Sequence, residues 1–96
     1  MDEKQKILEK LPELSRAQAA LMNLRPPDVS GFQQLATRIS DLQFRLFALA
    51  GQPVLRQLTA QEVATLQGAV QGLQAAVAIS AGASQIMAAA TTLLNS

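Results

Sequence analysis

The stretch VATLQGAVQGLQAAVAISAGASQIMAAATTLLNS, Val63 to Ser96, contains no charged residue. A solvated helix normally carries charge on its outer face. Here Gln67, Gln71 and Gln74 take those positions in the first half, and Ala78, Ala81, Gly82, Ala88 and Ala89 take them in the second. Apolar and small residues recur at helical spacing throughout, as Val63, Leu66, Val70, Leu73, Val77, Ser80, Ser84, Met87, Thr91 and Leu94. A second stripe, Ile79, Ile86 and Leu93, runs beside Ala83 and Ala90. Small residues also repeat every four positions, as Ala60, Ala64, Gly68, Gly72, Ala76, Ser80, Ser84, Ala88 and Thr92, a pattern that permits close helix approach although the row drifts about 40° per step. The start is marked by Thr59-Ala60-Gln61-Glu62, a capping box flanked by Leu58 and Val63 as a hydrophobic staple. No proline follows Pro53, so nothing forbids one helix from about Ala60 to Leu94, with Gly82 as the one candidate hinge.

Two shorter helices precede it. Phe32, Leu35, Ile39, Leu42, Leu46 and Leu49 form a heptad seam that predicts coiled-coil-like packing of a helix over about 29–50. Asp28 or Ser30 is its N-cap, with Ser30 and Gln33 fitting a capping box, and Gly51 then Pro53 end it. Phe44 and Phe47 lie off the seam and widen the apolar face, as a helix touching two neighbours requires. Val54 to Leu58 reads as a connector or a single helical turn. Ahead of this, Ile7, Leu8, Leu11, Leu14, Ala17, Leu21 and Leu24 predict a first helix over about 3–24. Pro12 either kinks that helix or starts it, and Arg25-Pro26-Pro27-Asp28 stops it.

The expected fold is a single all-α domain over residues 1–96, a three-helix antiparallel bundle with a long third helix. It becomes a four-helix bundle if that helix breaks near Gly82. At 1.5 Å per residue the third helix would reach roughly 52 Å against about 30 Å for the others. Its charge-free end would then overhang, and leaving each large apolar side chain in water would forgo about 1.5–3 kcal/mol. Three coverings are open: other copies of the chain, fold-back at Gly82, or a membrane or different partner. Self-association is the leading expectation. The interface is expected at Val70, Leu73, Val77, Ile79, Ala83, Ile86, Met87, Ala90, Leu93 and Leu94.

Composition narrows the function. The net charge is +1, with Lys, Arg and acids interspersed, so there is no electrostatic footprint for nucleic acid. Leu58 to Gly68 echoes the opening of a helix-turn-helix, but the following Gln71 to Ala81 holds no Lys or Arg to meet phosphate. Without Cys or His the commonest metal ligands and the commonest general base are missing. No metal, cofactor-binding or catalytic residues are expected. Glu9 and Glu13, beside Lys6, Lys10 and Arg16, read as a solvated helix face, and Arg38, Asp41 and Arg45 as a surface ion-pair ladder. Ala75 to Leu94 is long enough to span hydrocarbon, but it is interrupted by Ser80, Ser84, Gln85, Thr91 and Thr92 and lacks flanking aromatic or basic anchors. The acidic, amphipathic start has no apolar signal core, so a cytoplasmic location is expected, with non-classical secretion left open. The reading is a non-enzymatic helical interaction or structural subunit that self-associates through its charge-free C-terminal helix. The alternatives are an amphipathic protein binding a membrane or other hydrophobic surface, and a helical adaptor binding a partner protein's helix.

Overall fold

A computed structural model describes all residues from Met1 to Ser96. It is an all-α helical bundle of four helices: α1 Glu3–Met22, α2 Val29–Ala50, α3 Ala60–Ala78 and α4 Ala83–Leu94.

Helix α1 opens on a capping box not anticipated above. The Asp2 side chain accepts from the Gln5 amide, and the Gln5 side chain accepts from the Asp2 amide. The helix is continuous through Pro12, which therefore does not start it. Both Pro12 and Leu8, whose carbonyl loses its partner to the proline, lie on the exposed side, where burial adds no penalty to the missing bond. Helix α2 is capped by Asp28, which accepts from the Gly31 amide at 3.0 Å. The Ser30–Gln33 box is not used. Gly51 ends α2 in an ordinary right-handed conformation, so its special freedom is not exploited there. The Thr59–Glu62 capping box opens α3 as expected.

The connector between α2 and α3 is an extended strap rather than a helical turn. The Leu58 amide donates to the Met1 carbonyl at 2.8 Å, and the Glu3 amide donates to the Arg56 carbonyl at 3.2 Å. These bonds place the starts of α1 and α3 at one end of the molecule, so α2 and α4 return in the opposite direction. The Arg56 guanidinium reinforces the strap by reaching Glu3 at 3.2 Å and both oxygens of Glu62 at 2.8 and 2.9 Å.

The helix expected over about 60–94 is two helices, joined by a reversal at Ile79–Gly82. The Ser80 amide donates to Val77 and the Ala81 amide to Ala76, which is the paired bonding of a Schellman motif. Its left-handed position, usually glycine, is held by Ser80 at φ 53°, the one non-glycine residue with positive φ. Gly82, one candidate hinge by sequence, instead forms the N-cap of α4 in an extended conformation without a side-chain hydrogen bond.

The reversal lays α4 on α1 and α3. One core then joins Leu14, Ala17 and Leu21 of α1, Leu35 of α2, Leu66, Ala69 and Leu73 of α3, and Ile86, Ala90 and Leu93 of α4. Helix α1 touches all three others, whereas α2 rests chiefly on α1. The result is flat and elongated, 46 × 25 × 15 Å.

Candidate interaction surface

The ten residues expected at an interface fall into three groups. Leu73, Ile86, Ala90 and Leu93 are completely buried in the chain's own core. Val70, Val77, Ala83, Met87 and Leu94 are half-buried and pack against that core. Ile79 alone is exposed, at 74%. The overhang that demanded cover is covered from within, because the chain turns back on itself at residues 79–82.

Two features expected to be solvated are likewise turned inward. Glu13 is buried, and it accepts from Arg16 at 2.7 Å and from the side-chain amide of Gln74 at 3.0 Å, tying α1 to α3. Lys10 is only 4% exposed, and its ammonium donates to the carbonyls of Leu94 and Ser96 at 3.3 and 3.0 Å. A cation at the end of α4 meets carbonyls that have no helical partner. Burial, helped by the nearby charges of Lys6 and Arg45, nevertheless holds the Lys10 amine down at about 8. The Glu62 carboxyl is also lowered, to about 2, by the Arg56 hydrogen bonds first and the Thr59 amide second. Both groups tie helix ends together. Every buried polar side-chain atom has a hydrogen-bond partner, and no three acidic, His or Cys side chains converge.

What the fold leaves outside is more informative. Phe44 is 78% exposed, Phe47 82% and Val54 82%. At 100° per residue, Phe44 and Phe47 project away from the Leu35, Leu42 and Leu49 edge that packs on α1. The second neighbour that this widened face calls for is not supplied by the chain. Beside Phe44 lies an open groove between α2 and Leu94 of α4, walled by Arg38, Asp41, Arg45 and Ala48. The ion-pair ladder expected there does not form: the salt bridges in the molecule are Arg16–Glu13, Arg56–Glu3 and Arg56–Glu62. Asp41 and Arg45 therefore stand unpaired.

The outer face of α3 is smooth. Ala64, Gly68, Gly72 and Ala75 are exposed, and a methyl group added at either glycine would meet nothing within 4 Å. No helix of the molecule is long and apolar enough to cross a membrane, since the reversal at Ile79–Gly82 divides the uncharged stretch. Comparison with protein-family models, curated proteins and solved structures finds no match.

Proposed function

We propose that the protein is a non-enzymatic helical interaction or structural subunit that self-associates, with the docking surface on the outer face of α2. The observation that carries this reading is the pair of phenylalanines left almost fully in water one turn apart. A buried aromatic ring covers about 150–250 Å², so the pair of rings exposes a few hundred Å², the scale at which exposed apolar surface marks a contact site.

Charge favours a second copy as the occupant. Two α2 helices packed antiparallel about a two-fold axis near Gln43 set Asp41 of each copy against Arg45 of the other. A two-fold interface is self-complementary in this way: residue i meets j, and j meets i. Both groups lack a partner within the chain, so both are available. In this contact the fully buried residues of α3 and α4 take no part, so the proposed surface lies on α2 and not on the C-terminal stretch.

The test is solution mass by sedimentation equilibrium across concentration, for the native chain and for the Phe44→Ser/Phe47→Ser double variant. The native chain is expected to rise above 10.2 kDa, and the double variant to associate at least about tenfold more weakly, with unchanged helical circular dichroism. A native chain that stays monomeric up to millimolar concentration, or a double variant that associates equally, overturns the reading.

A further inference from the structure

The same residues that break the long helix also show how it could re-form. Nothing between Ile79 and Gly82 prohibits helix, since the segment is Ile-Ser-Ala-Gly with no proline. The helical spacing of Val77, Ser80, Ser84 and Met87 runs through the turn without a shift of phase. The turn itself is poorly served by its residues: Ser80 occupies the left-handed position that glycine takes at little steric cost, while Gly82 occupies one that does not need glycine. Helix α4 begins without a side-chain cap. Sequence and fold are in local conflict over four residues, and the docking of Ile86, Ala90 and Leu93 on α1 and α3 decides the outcome.

We infer that α4 is an exchangeable arm: α3 and α4 straighten into one helix, and α4 of each copy docks on α1 and α3 of the other. The receiving surface needs no separate argument for fit, because it already holds an identical α4. Straightened, residues Ala60 to Leu94 span roughly 52 Å, longer than the 46 Å molecule, so the freed arm projects beyond its own α1 and reaches a second body. Exchange rebuilds each core contact and hydrogen bond of α4 and alters only the hinge. Short hinges under strain favour this form of dimer. The inference stands apart from docking at Phe44 and Phe47, and it supplies a second, independent contact between copies.

The hinge offers opposed variants. Gly82 has φ −64° and ψ 163°, its amide makes no backbone hydrogen bond, and a side chain there meets open space. Gly82→Pro therefore suits the closed turn but disfavours a continuous helix, by removing one backbone hydrogen bond and crowding the preceding turn, and should lower the dimerisation constant by more than about 100-fold. Ser80→Gly relieves the closed turn and should lower it about fivefold or more. Ser80→Ala/Gly82→Ala favours helix and should raise it by about fivefold or more.

Each hinge variant is built into the Phe44→Ser/Phe47→Ser background, so that failure of exchange and failure of the α2 contact remain distinguishable. The chains are refolded at millimolar concentration, and their mass is measured by sedimentation equilibrium. Mixed labelled and unlabelled chains then report isotope-filtered NOEs between α1 and α4, such as Ala20 with Ile86, which line one cavity. The expected result is a dimer of Ser80→Ala/Gly82→Ala with interchain NOEs, and a folded monomer of Gly82→Pro. Monomers throughout, equal dimer in Gly82→Pro, or dimers lacking interchain NOEs would overturn the inference.

Discussion

The two hairpin turns of this molecule do the same job by opposite means. Between α1 and α2 the chain is stopped locally, because the residues preceding Pro26 and Pro27 are pushed out of the helical region. Asp28 then caps α2, and its amide donates back to the Leu21 carbonyl at 3.0 Å. Gly31 completes the turn by close approach, since a methyl group there would lie 3.2 Å from Leu21 Cδ1 and collide with the capping carboxylate. Between α3 and α4 no residue enforces a stop, and a serine holds the left-handed position. A turn written into local chemistry survives changes elsewhere. A turn held by distant packing is only as secure as that packing.

The largest effect should come from attacking the packing that holds the second turn. Ile86→Lys places a charge at a completely buried position and should cost more than about 4 kcal/mol, enough to unfold a domain of this size. Urea denaturation measures this. A variant that stays folded with α4 detached would show that the first three helices are stable alone.

A smaller effect separates the hairpins by pH. Lys10 sits against the end of α4, and its pKa is near 8 in the folded chain against 10.5 when free. Between these values the unfolded chain binds more protons, so stability should rise as pH increases from about 8 to 10.5, by on the order of 2 kcal/mol. The slope should vanish in Lys10→Met. An unchanged slope in that variant would mean that the penalty on the charged amine resides elsewhere.

The smallest effects contrast glycines. Gly31→Ala should destabilise by about 1 kcal/mol because the added methyl group disturbs the Asp28 cap and Leu21. Gly68→Ala and Gly72→Ala should each stabilise by about 0.5–1 kcal/mol, since helix propensity improves and nothing is displaced. Equal effects at all three positions in denaturant titrations would remove the distinction drawn between a packed and an open glycine.

The candidate surface was legible only in part. Phe44 and Phe47 stood out as a face wide enough for two neighbours, but periodicity does not say which neighbour is missing. Lys10 and Glu13 read as solvated because charge pattern along one helix is blind to the carbonyls of Leu94 and Ser96 and the amide of Gln74, which arrive from more than 60 residues away in the chain. The ladder of Arg38, Asp41 and Arg45 had suitable spacing yet formed no pair, in keeping with the small energy of exposed ion pairs.

The sequence by itself determined the helices and most of their ends. Thr59 with Glu62, Asp28, and Pro26-Pro27 act through bonds and clashes within a few residues, and need no tertiary context. Only the tertiary structure decided that the uncharged stretch would fold back at Ile79–Gly82. Helix continuation and reversal differ there by a small local energy, and burying Ile86, Ala90 and Leu93 against α1, far away in sequence, outweighs it.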